Sequence, residues 1–211
     1  MSDEFIRKVL LEKQDVVSAE WRENRVMEIE RKERDRFLAA ILSERVVLQE
    51  HVRPFVNSPV SVIVNFPKIG RWTGEAIAQC EAAGKAWGQW SVLLRALSSD
   101  SPETTVNPEI NFSRTALAQH TRVESVRFAS DRILIVQHEL GNEFRVALMN
   151  QYDLCGNDVR QSWGENKPFD FVLRTNPNGS TLPDSYEVAE SLGIKIFRLR
   201  DFMGYLAKGA F

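Results

Sequence analysis

The sequence predicts a mixed α/β (α+β) protein, a mixed sheet with an antiparallel meander and a C-terminal helix–strand–helix unit, preceded by a long N-terminal helical arm. Three observations lead there. Pro168–Leu206 reads as strand, polar loop, helix, strand and helix; Val123–Trp163 reads as short strands between turns; and Ser2–Val52 contains neither Gly nor Pro. The domains expected are residues 1–53, the arm, and residues 54–211, the α/β body.

In the arm, apolar residues fall at helical intervals (Phe5, Val9, Val16, then Phe37, Ile41, Leu48, Val52), and Pro54 ends the run. Between Arg22 and Arg36 eleven of fifteen residues are charged, with Glu28–Lys32 and Glu30–Arg34 at the spacing that supports a solvated helix. One long helix, or two with a hinge near Asn24, fits this pattern. Too few clean heptads line up for a coiled coil. The arm either packs on its own body or docks on a second chain.

Pro59–Phe66 (PVSVIVNF) is β-branched on both faces, as an interior strand is. Thr73 offers a cap, and Ile77, Cys80, Gly84, Trp87, Ser91 and Leu94 predict a helix to about Leu97, with Gly84 and Gly88 one turn apart as a close-packing spot flanked by Trp87 and Trp90. Ser98–Glu109 is polar and reads as an exposed loop or a domain seam. Ser113 is a candidate cap for a helix to about Thr121. The expected strands then are Ser125–Ala129, Arg132–Glu139, Glu143–Tyr152 and Val159–Trp163, with Gly141-Asn142 as a hairpin turn. Glu143–Tyr152 alternates as a strand, while Phe144, Leu148 and Tyr152 also step by four; the strand reading is preferred.

In the closing unit Phe169, Phe171 and Leu173 form one apolar face. Asn176-Pro177-Asn178-Gly179 breaks the strand, Pro183 and Asp184 open a helix, and Gly193 stops it before Ile194–Leu199.

A formal net charge of −2 over 211 residues supplies no global attraction for nucleic acid or anionic membrane. No signal sequence and no apolar run near twenty residues is present, so the expectation is a cytoplasmic chain without a membrane partner. Cys80 and Cys155 have no CxxC companion and are read as reduced thiols. His51, His120 and His138 show no metal-ligand spacing, and no GxSxG, Walker or GxGxxG motif occurs. His138 is read as a surface histidine at a strand end. No cofactor is named by these residues.

Ligands in α/β sheets bind off the carboxyl ends of strands. Lys68 and Arg71 follow one candidate strand, and Arg174, Asn176 and Asn178 follow another. If both strands lie parallel in one sheet, these five residues form a candidate pocket for phosphate or carboxylate.

A second candidate set comes from a resemblance. Glu143 near the start of a segment, a run ending at Gly156, Asp170 in FDFVL and the late unit Ala189–Leu192–Gly193–Ile194 resemble a restriction-endonuclease-like nuclease core. That resemblance implies a metal held by carboxylates with a lysine nearby, and so Glu143, Asp170 and Lys195 as catalytic residues. It requires Glu143–Tyr152 to be helical, and no Glu-x-Lys or Gln-x-Lys follows Asp170. Pro59–Pro67 and His138–Phe144 resemble, more faintly, the transferase that loads the citrate lyase acyl carrier protein, with Arg145 and Ala147 where that family carries a pair of aspartates.

Three functions follow as expectations. The first is an intracellular binding or regulatory protein that meets a protein partner, or itself, through residues 1–53. The second is a metal-dependent nuclease or phosphoryl-transfer enzyme. The third is a binder of a small phosphate or carboxylate compound. Nucleic acid has no aromatic-plus-basic motif behind it.

Overall fold

After one short helix, β-strands and not a continued helical stripe govern residues 16–42. The computed structural model describes residues 3–209 and 211, and it divides the chain into two compact units, Met1–Asn107 and Pro108–Phe211. That division falls inside the polar stretch Ser98–Glu109. Residue 53 lies within the first unit.

The first unit begins with helix α1 (Asp3–Leu11), strands β1 (Val16–Trp21), β2 (Val26–Arg31), β3 (Phe37–Leu42) and β4 (Val46–Val47), and helix α2 (Gln49–Val56). Strands β5 (Val62–Asn65) and β6 (Arg71–Trp72), helix α3 (Gly74–Ala82), strand β7 (Ala86–Gln89) and helix α4 (Trp90–Ala96) complete it. The main sheet runs β1-β2-β3-β5-β7, antiparallel across β1, β2 and β3 and parallel from β3 onwards. Strands β4 and β6 form a small parallel pair. Ile6 and Leu10 of α1 pack with Met27, Ile29, Val62, Val64, Val92 and Leu93 in one core.

The long helical arm is therefore absent. In β2, Met27, Ile29 and Arg31 are buried while Glu30 is exposed, a period of two. Asn24 and Arg25, both with positive φ (57° and 61°), turn β1 into β2 without a glycine. The charges pair across strands: Arg22 and Arg36 both reach Glu28, which holds its carboxyl below the usual range, and Ser18 donates to Glu30. The helix expected from Thr73 to Leu97 is also corrected, to helix, strand and helix. Gly84 has φ +64°, which ends α3, and both paired glycines lie outside any helix.

The second unit comprises α5 (Pro108–Ala118), β8 (Val123–Ser130), β9 (Ile133–His138), β10 (Glu143–Met149), α6 (Gly156–Asn166), β11 (Phe171–Arg174), α7 (Pro183–Ser191), β12 (Lys195–Arg198) and α8 (Leu199–Lys208). Its sheet runs β12-β11-β10-β9-β8, parallel over β10, β11 and β12 and antiparallel over the rest. Val159–Trp163, expected as a strand, lies in α6: the Asp158 carboxylate accepts from the Cys155 N–H at 3.0 Å, and only Gly156 and Val159 of the helix are buried.

The two units repeat one another. Val26↔Ala40 in β2 and β3 recurs as Ile133↔Ala147 in β9 and β10, each residue 107 positions on. From the central parallel strand onward the offset becomes 109: β5 corresponds to β11, α3 to α7, β7 to β12. Even the irregularity in the outer strand recurs, between Val16 and Ser18 and between Val123 and Ser125. Identical residues at matching places include Phe5/Phe112, Leu10/Leu117, Phe37/Phe144, Gly70/Gly179 and Gly84/Gly193. Each unit is thus a helix, a three-stranded meander and two parallel crossovers. No described helix is long and apolar enough to cross a membrane.

Candidate functional site

Arg174 is the last residue of β11, the strand between β10 and β12, and it is only 3% exposed. Its Nη2 donates to the carbonyl of Asn178, and its buried Nε has no hydrogen-bond partner. Among the described residues no carboxylate lies within 4.0 Å of its guanidinium. A guanidinium taken out of water and left without a counter-charge is costly, and a buried charge is ordinarily paired.

The loop above it is fixed in place. Asn176 Oδ1 accepts from the Asn178 N–H at 3.0 Å, and Asn176 Nδ2 donates to the Asn150 carbonyl at 3.2 Å. The Ser180 N–H and hydroxyl both donate to Asp153 Oδ1, at 3.0 and 2.6 Å. Gly179 has φ +77°, and a Cβ there would stand 1.9 Å from the Tyr152 carbonyl oxygen and 3.0 Å from its ring. No other residue fits that turn. The Tyr152 ring is left 64% exposed beside it.

The start of α6 is already engaged by two carboxylates. The Asp184 carboxylate accepts from the Gly156 N–H at 2.9 Å, and Asp158 occupies the same end of α6. On a second side of the strand ends, Glu109 of α5 accepts from Asn150 Nδ2 at 2.7 Å and from Thr175 Oγ1 at 2.6 Å, with Arg132 Nη1 at 4.0 Å. Sequence reasoning missed this carboxylate and its two partners, because Glu109 stands at the start of a helix distant in sequence from both.

The first unit closes the corresponding position. Asn65 ends β5 as Arg174 ends β11, is fully buried, and bonds the Glu44 backbone twice: it accepts from the N–H at 2.9 Å and donates to the carbonyl at 2.8 Å. Gly70 is pressed against it, since a Cβ there would meet Asn65 Nδ2 at 2.1 Å.

Lys68 and Arg71 follow β5 in the first unit, Lys68 exposed in the loop and Arg71 in β6, paired to Val46. Arg174, Asn176 and Asn178 stand at the edge of the other sheet. The five do not share one sheet edge, because β5 and β11 belong to different sheets.

Glu143, Asp170 and Lys195 lie at the opposite, amino ends of β10, β11 and β12. Each is occupied: Glu143 pairs with Arg127 at 2.8 Å, Asp170 accepts from the Arg145 N–H at 2.7 Å, and Lys195 Nζ lies 5.2 Å from the centre of the Tyr205 ring. Glu143–Met149 is a strand, which removes the helix that the nuclease resemblance requires. Among the described residues no group of three or more His, Cys, Asp or Glu is arranged to hold a metal ion.

His138 is fully buried and not on the surface. Its Nδ1 accepts from the Leu140 N–H at 3.2 Å, so Nε2 donates to the Leu206 carbonyl at 3.0 Å. His120 repeats the arrangement, with Arg122 N–H on Nδ1 and the Met203 carbonyl 3.1 Å from Nε2. His138 therefore ties α8 to β9, and His120 ties it to the turn that follows α5. Cys80 and Cys155 are free thiols.

In the first unit a cavity of about 260 Å³ is lined by Gln14, Asp15, Arg31, Lys32, Glu33 and Arg34. Arg31 is already spent on the carbonyls of Asp35, Ala96, Leu97 and Ser99, and Arg34 pairs with Asp100 at 2.8 Å.

Neither a family model, nor a curated protein, nor a solved structure matches the chain.

Proposed function

We propose that the protein binds a small phosphate- or carboxylate-bearing compound in its second unit, with Arg174 as the counter-charge and Asn176 and Asn178 around it. One observation carries the reading: a nearly fully buried arginine at the carboxyl end of a parallel strand, with an unpartnered Nε and no carboxylate beside it. The contrast with Asn65 adds to it. At the same place in the first unit the polar side chain is satisfied on both sides. An anion at Arg174 supplies the missing partner and forms charge-assisted hydrogen bonds.

Lys68 and Arg71 belong to the first unit and follow a strand of the other sheet. Residues 1–53 are not carried forward as a docking arm, since they build the first unit's helix and meander.

The test is thermal denaturation and calorimetric titration of the full chain with inorganic phosphate, simple phosphomonoesters and small carboxylates. Saturating ligand at a hundred times its dissociation constant adds about 2.7 kcal/mol to stability. Binding that disappears in Arg174→Met supports the reading; the absence of any anion effect on the wild type refutes it.

A further inference from the structure

Two groups beside Arg174 are not used by the fold, and together with its guanidinium they describe more than an anion. The Tyr152 ring is 64% exposed and is held in position by its backbone, whose carbonyl accepts from the Ser180 N–H at 3.0 Å. It rests against Gly179, the residue after the one whose carbonyl holds Arg174. Asn178 is exposed; its main chain is fully engaged, N–H to Asn176 and carbonyl from Arg174, while its side-chain amide makes no hydrogen bond among the described residues. The loop thus offers a flat aromatic face, a free amide with one donor and one acceptor end, and a buried guanidinium.

We infer that the ligand is a purine nucleoside monophosphate, its phosphate on Arg174, its base stacked on Tyr152 and the base edge read by Asn178. This rests on the anion-binding reading above and adds the ligand class to it. Stacking on an exposed aromatic side chain is tolerant of base identity, whereas an asparagine amide matches the donor and acceptor pair of a purine edge. A carboxylate without a ring leaves both Tyr152 and Asn178 unused.

The experiment is calorimetric titration of the full chain with AMP, ribose 5-phosphate, adenosine and inorganic phosphate, repeated with Tyr152→Ala, Asn178→Ala and Arg174→Met. Tyr152 and Asn178 have exposed side chains, so their variants keep the fold; far-UV circular dichroism checks all three. AMP is expected to bind at least about ten-fold more tightly than ribose 5-phosphate, and Tyr152→Ala to remove about ten-fold of AMP affinity while leaving ribose 5-phosphate unchanged. Equal binding of AMP and ribose 5-phosphate, with neither altered by Tyr152→Ala, overturns the nucleotide assignment and leaves the anion site standing. Failure of every phosphate compound to bind the wild type overturns the nucleotide assignment, and failure of small carboxylates as well overturns both.

Discussion

Asn65 and Arg174 occupy the same place in the two units, each the last residue of a central parallel strand, 109 positions apart. One is hydrogen-bonded on both sides to Glu44; the other keeps a buried nitrogen without a partner. A repeat fixes the backbone at this point, so the difference lies in the side chain alone. The first unit uses the position to lock a loop, and the second leaves a charge waiting.

Arg174→Met therefore separates stability from binding. Replacing an uncompensated buried charge by an apolar chain of similar length removes a desolvation cost that outweighs the single hydrogen bond lost to the Asn178 carbonyl. For a chain of this size about 2–4 °C of melting temperature accompanies each kcal/mol. The variant is expected to melt higher than the wild type in anion-free buffer and to gain nothing when phosphate is added. A variant that melts several degrees lower shows that Arg174 is a structural residue.

Asn65 and Gly70 make the opposite case. Asn65→Ala leaves the Glu44 N–H and carbonyl without partners, which costs about 1–3 kcal/mol. Gly70→Ala places a methyl 2.1 Å from Asn65 Nδ2 and 2.9 Å from the Glu44 carbonyl oxygen. Because the first clash is with the side chain that Asn65→Ala removes, the double variant is expected to lose clearly less than the sum of the singles in urea denaturation. Strict additivity removes the contact from the explanation.

The closing unit was readable because each boundary carries its own signal. Pro183 opens α7, φ +72° at Gly193 ends it, and Phe171 and Leu173 alternate with residues of the other face. The first 53 residues mislead for a physical reason. A strand turn made by Asn24-Arg25 needs no glycine, and the inward row of β2 ends in Arg31, a charge, so neither punctuation nor a clean apolar alternation marks the strand. The repeat is hidden in the same way. Arg31 corresponds to His138 and Trp21 to Phe128, pairs that keep a role while changing the residue. Arg174 was visible as a candidate, but its burial and its missing partner are properties of the fold, and Glu109 meets Thr175 only across 66 positions of chain.

Arg31 and His138 yield the third prediction. Both end the second strand of their meander, both are buried, and both bond matching carbonyls of the last helix: Arg31 reaches Leu97 at 3.3 Å, and His138 reaches Leu206, 109 positions further, at 3.0 Å. Burial lowers the pKa of the Arg31 guanidinium, which leaves it charged at neutral pH among carbonyls at a helix C-terminus, where a cation is favoured. Arg31→Met is expected to cost about 2–3 kcal/mol. Arg31→Lys should recover little, since an ammonium cannot span the carbonyls of Asp35, Ala96 and Ser99 as a fork does. Hydrogen exchange should rise first at the end of α4; full recovery by lysine shows that charge alone matters.

Cys80 supplies the pH dependence. It is fully buried in the first unit, and burial pushes its thiol from 9.0 up to about 12. Below pH 9 both folded and unfolded chains hold the proton, and the residue contributes no slope. Between about pH 9 and 12 the unfolded chain releases a proton that the folded chain keeps, so stability falls as pH rises, by at most about 4 kcal/mol at ~1.4 kcal/mol per pH unit. Lysines and tyrosines also titrate in this range, so the readout is the difference between the wild type and Cys80→Ala, both carrying Cys155→Ser to prevent cross-linking. Urea denaturation at pH 7 should show the alanine variant less stable because of its cavity. At pH 10.5 the balance is expected to move toward the variant by about 2 kcal/mol. A difference that stays constant from pH 7 to 10.5 means that Cys80 ionises as readily in the folded chain as in the unfolded one, and its burial then has no bearing on alkaline stability.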